Sequence, residues 1–360
     1  MLSVLFISNN LGRGGKERQI HEMLKYFNAN KFPLKISVLL REPIVEYDIS
    51  SFTNIEFNIP QSRLNAFEFI TYIFKYCSKK KVDIVHNWES GSAVLFLIVK
   101  YLFFNNIKVI DGSLRYSRKF SASTKKYWVA RLGRMFSDKV VANSMAGIKS
   151  ISYANNKKYL VIENGIDIYR FPDRLTSSDK ASLQLGMVAS FSKPKDFKTV
   201  VAAGLDMLVK SPNIHFTFVG EGKEKQDTIN SIPEHFRCYF TFTGKVSKPE
   251  DYLSSFDIGI LLSKKNHSEG MSNSIMEYMA AGLPVICTKT GGNSELVEEG
   301  INGFLIAHED KDELIRKIDF FLSNPNAINE MGFVSRKRIH DQFEIGKVCE
   351  KYYHLYLSLK

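Results

Sequence analysis

Ser268-Glu269-Gly270-Met271-Ser272-Asn273-Ser274-Ile275-Met276-Glu277, continuing through Ala280-Ala281-Gly282-Leu283-Pro284-Val285-Ile286-Cys287, reads as a polar loop, a short helix and a buried strand in succession. Gly282 supplies a left-handed helix cap, and Pro284 cannot continue the helix. Val285-Ile286-Cys287 is the apolar run of the next strand. Two carboxylates, Glu269 and Glu277, sit at either end of the loop and helix start. On one continuous helix they would stand roughly 80° apart. Gly270 argues against that, which leaves Glu269 in the loop and Glu277 in the opening turns of the helix. Free N–H groups at a helix start, here at Met271, Ser272 and Asn273, suit an anion such as phosphate. Carboxylates beside such a site accept hydrogen bonds from hydroxyls, and a nucleotide sugar offers those of its ribose and of its sugar. Ser274-Ile275-Met276-Glu277 also fits a capping box, in which Glu277 serves only the helix terminus. From the local pattern both readings stand.

Outward from this stretch, short apolar runs alternate with amphipathic ones, the pattern of βαβ units and parallel sheets. In the first half, strands are expected at Leu2–Ser8, Leu34–Leu40, Asp83–His86, Lys108–Asp111 and Lys139–Ala142. Helices are expected at Lys16–Asn28, Asn65–Ser78, Gly91–Phe104 and Ser123–Phe136. A polar stretch, Asp173 to Ser182, reads as a linker. The pattern then restarts at Leu183–Val188, with strands at His215–Val219, Tyr239–Thr243, Ile258–Leu262 and Pro284–Cys287. The expected fold class is α/β, two Rossmann-like, doubly wound domains facing a cleft. The domains are residues 1–172 and 183–340, and 341–360 is the end of a helical stretch that begins at Asn329. Ligands in such sheets bind beyond the carboxyl ends of the strands.

A chain of 360 residues exceeds the size at which one core keeps growing, which agrees with two domains. Met1-Leu2-Ser3-Val4-Leu5-Phe6-Ile7 has no basic leader or cleavage site and reads as a buried strand. The longest apolar run, Ala93 to Phe104, contains Lys100 and is shorter than the roughly 20 residues that span a bilayer. A cytoplasmic protein is expected. Cys77, Cys238, Cys287 and Cys349 are widely spaced, and no histidine spacing suits zinc, so free thiols and no metal are expected. Charge is uneven: residues 1–170 hold 26 Lys and Arg against 13 Asp and Glu, whereas 171–360 hold 23 against 25. The basic excess therefore belongs to the first half.

The chain resembles the family-4 retaining glycosyltransferases, of GT-B fold, whose signature is the Glu-x7-Glu spacing of Glu269 and Glu277. Further stretches are similar to that family's motifs and occur in its order. They are the glycine-rich loop Asn9-Asn10-Leu11-Gly12-Arg13-Gly14-Gly15-Lys16, Asp83-Ile84-Val85-His86, Phe136 to Ser144, and Val161 to Asp167. Val219-Gly220-Glu221-Gly222, Phe242-Thr243-Gly244-Lys245 and Thr290-Gly291-Gly292-Asn293-Ser294-Glu295 complete the series. The resemblance implies a retaining transfer from a nucleotide-sugar co-substrate, most readily a UDP-sugar, without metal or other cofactor. It also implies that the last helix crosses back to the first domain.

By that resemblance Glu269 binds hydroxyls of the transferred sugar and Glu277 those of the ribose. Lys195 meets the leaving diphosphate beside the Gly270, Met271, Ser272 and Asn273 backbone. Gly14 and Gly15 let the first domain's loop come close to phosphate. Gly220 and Gly222 border the nucleotide, with Lys245 and Val246 near the base. The family often carries an arginine where Ser190 stands here; either Lys193 replaces it or Lys195 acts alone. Asn293, Ser294 and Glu295 read as a structural helix start.

On the acceptor side, relatives place a histidine where Asp111 stands. Asp111 either bonds an acceptor hydroxyl or caps the following turn, and His86 is open to a similar choice. Arg115 and Arg118 suit an anionic acceptor. The cation-rich, aromatic stretch Arg115 to Phe136 is either a solvated face or a contact with anionic membrane, and no nucleic-acid motif accompanies it. The expected partners are thus a nucleotide-sugar donor and a glycan or polyprenyl-linked glycan acceptor, as in the synthesis of a capsule or lipopolysaccharide. A nucleotide-sugar epimerase or hydrolase of the same fold, and a non-catalytic sugar-nucleotide-binding protein, are the alternatives. A Rossmann dehydrogenase fits poorly, because Gly12-Arg13-Gly14-Gly15 lacks the Gly-x-Gly-x-x-Gly spacing.

Overall fold

A computed structural model of the chain describes residues 1–116, 124–151, 157–172, 182–210, 213–246, 248–265, 267 and 269–360. It divides into two compact units, Met1–Gly165 with Ile345–Lys360, and Ile166–Glu344. The division falls ahead of Pro172, and nearly all of the stretch read as a linker lies outside the described residues.

The first unit holds β1 (Leu2–Ser8), β2 (Leu34–Leu40), β3 (Ile55–Asn58), β4 (Ile84–Asn87), β5 (Lys108–Leu114), β6 (Lys139–Ala142) and β7 (Tyr159–Val161). They form one parallel sheet in the order β3-β2-β1-β4-β5-β6-β7. Alternate residues of β1 serve opposite faces, as strand geometry requires. Leu5 and Ile7 join a core with Phe69, Ile73 and Phe96, whereas Val4 and Phe6 join one with Ile20, Met23 and Tyr352. Helices Ala66–Lys79 and Ser90–Phe103 therefore cover one face, and helices Gly15–Ala29 and Ile345–Ser358 the other. The carboxyl-terminal helix packs on this first unit.

The second unit repeats the plan with β8 (Leu183–Val188), β9 (Ile214–Val219), β10 (Phe240–Gly244), β11 (Ile258–Leu261), β12 (Val285–Thr288) and β13 (Gly303–Ile306). The parallel order is β10-β9-β8-β11-β12-β13. Both sheets reverse strand order beside their first strand, at β1/β4 and at β8/β11. Loops at such a reversal diverge to opposite faces and leave a crevice, the usual place for a ligand in open α/β sheets.

Three strands were not foreseen: β3, β7 and β13. All lie at sheet edges and are three or four residues long. β3 and β7 are mostly half-buried, which weakens their apolar pattern, whereas β13 is buried at three of its four positions and is missed for its shortness alone. β5 runs on to Leu114, which puts Asp111 inside the strand rather than at its end. The helical stretch expected from Asn329 is two helices, Asn326–Arg338 and Ile345–Ser358, joined by a π-helical turn at Ile339–Phe343 and an extended Glu344.

Helix Asn273–Ala280 ends as the sequence implies. Gly282 adopts φ +73°, its N–H reaches Met279 O at 3.0 Å, and Leu283 N–H reaches Tyr278 O at 3.0 Å. That pair of bonds is the Schellman motif. Tyr278 then fixes the helix on the sheet. It is fully buried, its hydroxyl accepts from Val188 N–H at 2.6 Å and donates to Ile260 O at 3.2 Å. The ring lies over Gly259, where a Cβ would come within 2.4 Å of ring carbons. We predict that Gly259→Ala destabilises the protein by about 1–3 kcal/mol through overpacking, read as a lower denaturation midpoint with unchanged slope in urea.

Candidate functional site

The loops after β8 and β11 flank the strand reversal of the second unit and supply its two charged groups. Asp196 caps helix Phe197–Lys210: its Oδ1 accepts from Thr199 N–H at 3.2 Å and its Oδ2 from Thr199 Oγ1 at 2.7 Å. Lys195 precedes that cap, in a loop tied to the end of β11 by the Asp196 N–H to Leu262 O bond of 3.0 Å. Its ammonium pairs with the Glu269 carboxylate, and neither group is a solvated surface charge, since their side chains are 12% and 19% exposed. His267 lies on the other side of the same carboxylate oxygen, with Nε2 at 3.2 Å. Burial pushes the Glu269 carboxyl up, but Lys195 and His267 outweigh it and hold it at about 2. Glu269 is therefore an anion throughout the physiological range.

The Glu269 loop is clamped from behind by the Gly291-Gly292 turn. Gly292 N–H lies 3.2 Å from Glu269 O and 3.1 Å from Gly270 O. A Cβ on Gly292 would stand 2.5 Å from Gly270 O, so only glycine permits the approach. Asn293, fully buried, bonds Thr288 O through Nδ2 at 2.9 Å and anchors the turn to the end of β12. His267 was not singled out in the sequence, and Gly292 was quoted there only within a motif, without a role. Their signals were the His-x-Glu spacing around Ser268 and the paired glycines before Asn293.

Helix Asn273–Ala280 begins two residues later than Met271, with Ser272 as N-cap and no side-chain capping bond. Ser274 thus lies inside the helix, and the capping-box reading of Glu277 fails. Met271 is a core residue at 5% exposure. The leading N–H groups of a helix point out along its axis and carry its partial positive charge. Glu277, one turn beyond Asn273 on the same helix face, is buried. The ion pair thus lies at the loop that leads, through Gly270 and Met271, into the helix that carries the buried Glu277.

Around them, backbone packs on backbone. Gly220 and Gly222 have φ of +150° and +153°, and Cβ atoms there would meet Ala189 O at 2.0 Å and Phe191 O at 2.3 Å. These glycines hold the segment that carries Ser190, which is exposed, with Oγ 3.1 Å from Ser192 Oγ. Lys193 is also exposed and makes no ion pair among the described residues. Lys245 is exposed, and Val246 packs on the core.

In the first unit, Gly14 is the N-cap of helix Gly15–Ala29, and Gly15 opens it. The first turn carries Lys16, which pairs with Glu89 after β4 and with Glu17 at 2.9 Å. Lys16 was quoted in the sequence only as the end of the glycine-rich loop, and Glu89 was passed over. His86 is fully buried among Phe6, Trp88 and Tyr352, with Nδ1 2.8 Å from Tyr356 hydroxyl. Burial, with help from Arg115, holds it well below the usual histidine range, so it is neutral. Asp111 is fully buried, and its Oδ1 accepts from Ser113 N–H at 2.9 Å, the local-turn alternative. Burial raises its carboxyl despite that bond. Arg115 stacks over Trp88 at 4.1 Å and donates to Asn164 Oδ1 at 2.8 Å and Gly112 O at 3.1 Å. His86 and Arg115 lie on the Trp88 side of the sheet, whereas Asp111 faces helix Lys125–Phe136 on the other, its Oδ2 3.4 Å from where a Cβ on Gly133 would stand. Arg118 lies outside the described residues. Among the described residues, no group of three His, Cys, Asp or Glu is placed to hold a metal ion.

Two parallel Rossmann-like sheets with this topology define a GT-B fold. The Anabaena protein HepE, solved in complex with UDP and glucose, superposes with a TM-score of 0.80 over 99% of this chain and 100% of that one, at 18% identity. Residues 182–324 match the family described as glycosyl transferases group 1. Among curated proteins, the chain is 24% identical to the spore coat protein SA of Bacillus subtilis (strain 168), over 55% of this chain and 58% of that protein. It is likewise 24% identical to a UDP-Gal:alpha-D-GlcNAc-diphosphoundecaprenol alpha-1,3-galactosyltransferase of Escherichia coli, over 80% and 78%. The chain spans about half the length of the first curated relatives it matches.

Glu269 makes acid stability testable. Its folded carboxyl titrates at about 2 against an ordinary 4.5. Stability from this group is therefore full above about pH 4.5 and is lost as pH falls toward 2, with a linked contribution of up to about 3 kcal/mol. We predict that urea denaturation of Glu269→Gln between these pH values shows a shallower loss than the parent protein. Gly292→Ala is expected to loosen the clamp, and NMR titration of the Glu269 carboxyl in that variant should find it moved back toward 4.5.

Proposed function

We propose that the chain is a retaining glycosyltransferase that moves a sugar from a UDP-sugar to a glycan or polyprenyl-linked glycan. The observation that carries this reading is the buried Lys195–Glu269 pair beside the amino end of helix Asn273–Ala280. Departure of a nucleoside diphosphate concentrates negative charge on the leaving group. An ammonium and helix N–H donors aimed at that charge lower the barrier most, because they are oriented before reaction. Lys195 and the Ser272–Asn273 amides supply both in this reading, with no metal required. Glu269, ionised, accepts from hydroxyls of the transferred sugar and fixes the ring against the acceptor. Glu277, buried below the helix start, accepts from the ribose. In a retaining transfer the acceptor hydroxyl attacks from the face the diphosphate leaves, and its proton passes to a departing phosphate oxygen. The named galactosyltransferase relative, with a UDP-Gal donor and a diphosphoundecaprenol-linked acceptor, supports this donor and acceptor class, as does the HepE complex with UDP and glucose. The reading places the protein in surface polysaccharide synthesis, on the cytoplasmic side of a membrane.

Thermal-shift screening against UDP-, GDP- and ADP-sugars should select a UDP-sugar. With that donor and a polyprenyl-diphosphate glycan, Lys195→Ala should lower kcat about 100-fold or more with a smaller change in donor KM. EDTA should leave the rate unchanged. NMR of the product should show the donor's anomeric configuration. An inverted product, or UDP release at the same rate without acceptor, overturns the reading.

A further inference from the structure

Helices Ala66–Lys79, Ser90–Phe103 and Lys125–Phe136 lie side by side on the first unit, each in contact with the next. Their outer surface is apolar where the two opposite-face helices are not. Phe74, Tyr101, Leu102, Phe103, Met135 and Phe136 are all exposed, Leu102 to 67% and Phe103 to 58%. They form one strip: Phe74 meets Phe103 edge-on at 4.8 Å, and Tyr101 meets Phe136 at 5.9 Å. Exposed apolar strips of this kind on a folded unit mark an interaction surface.

The charge around the strip says what covers it. On the three helices Lys75, Lys79, Lys125 and Lys126 are exposed and Arg131 half-buried, against a single carboxylate, Glu68, while Lys100 and Arg134 are buried. Helices Gly15–Ala29 and Ile345–Ser358, on the other face, mix both signs. Three further lysines border the strip's end. Lys158 donates to Met135 O at 2.7 Å, Lys139 opens β6, and Lys108 opens β5 after Phe103, with one half-buried carboxylate among them, Asp138, 3.9 Å from Lys108 and 2.8 Å from the buried Lys100. An apolar centre rimmed by cations complements an anionic bilayer, whose headgroups attract lysine while its acyl boundary takes up rings and leucine. A second copy of the chain would set this cationic rim against its own like. The strip also lies at the amino-terminal ends of β5 and β6, the opposite edge of the sheet from Gly14 and Arg115. Binding there leaves the loop edge uncovered.

We propose that this strip docks the protein on an anionic lipid bilayer. The proposal extends the lipid-linked acceptor reading above, yet its test does not need turnover. Co-sedimentation with phosphatidylethanolamine vesicles containing phosphatidylglycerol should be at least about tenfold tighter than with phosphatidylcholine alone, since each cation near such a surface contributes roughly fivefold. High salt should weaken it. The Leu102→Glu/Phe103→Glu variant should lose at least about tenfold in vesicle binding while keeping the parent's thermal shift with UDP-sugar. Charge reversal at Lys79 and Lys108 should do the same by a separate route. Equal binding to both vesicle types, or no loss in either variant, overturns the proposal. So does a dimer in solution that Leu102→Glu/Phe103→Glu dissociates, or competition for the strip by oligonucleotide. Vesicle binding as expected, with no response to any nucleotide sugar, would uphold the docking surface and sink the donor reading alone.

Discussion

The second unit is organised around keeping one carboxylate charged where water is scarce. An isolated buried carboxylate would protonate rather than stay ionised. Glu269 stays ionised because Lys195 and His267 converge on one of its oxygens. His267 shares the Glu269 loop, but Lys195 lies 74 residues away along the chain, and the strand reversal at β8/β11 brings it there. Lys195 belongs to the loop after the first strand of the sheet, Glu269 to the loop after the fourth. The sheet topology is thus what makes the charge tenable, and the charge is what gives the crevice its chemistry.

Holding that arrangement calls for backbone to approach backbone more closely than a side chain allows. Gly292 presses on the Glu269–Gly270 peptide, and Gly220 and Gly222 press on Ala189 and Phe191. Gly332 does the same at the far end of the site helix, where a Cβ would lie 2.1 Å from Gly282 O. Arg336 then donates to Ala280 O at 2.6 Å and Phe171 O at 2.9 Å, taking up a carbonyl the helix end leaves open. The helix that bears Glu277 is therefore fixed at both ends and across its middle by Tyr278. Such a site is positioned by rigid elements, which suits chemistry that depends on orientation.

Much of this was legible in the sequence, for physical reasons that differ from part to part. Central strands such as β1, β8 and β12 are continuous apolar runs, because both faces of a parallel sheet are covered. The Gly282–Pro284 stop is local chemistry and could be read directly. The edge strands β3 and β7 were illegible because they are short and mostly half-buried. Glu277 was open between two roles until the helix start was placed at Ser272–Asn273, a difference of two residues that pattern alone does not resolve. Asp111 and His86 invited catalytic readings from their residue types, but burial is a long-range property. His86 is enclosed by Tyr352 and Tyr356, some 270 positions away along the chain. No window around Asp83-Ile84-Val85-His86 contains that information.

The two halves also repeat a device that neither motif advertised. At β8/β11 a lysine from the loop leading into the first helix pairs with a glutamate from the loop after the fourth strand. At β1/β4 the same happens: Lys16 opens the helix after β1 and pairs with Glu89 after β4. Burial lowers the Lys16 ammonium from its ordinary value, with Glu17 working in the opposite direction. In each sheet the pair sits where the two crossover directions part, the place at which helix amino ends converge and an uncompensated lysine would add to their partial positive charge. A carboxylate from the neighbouring loop offsets both. The pairing therefore follows from the doubly wound topology itself, and what separates the two crevices is what surrounds the pair. In the second unit those surroundings are His267, a buried Glu277 and the amino end of a short helix. In the first they are the stacked Arg115 and Trp88 above a neutral His86. Charge compensation is common to both; a histidine beside the pair is found in one, and a stacked arginine in the other.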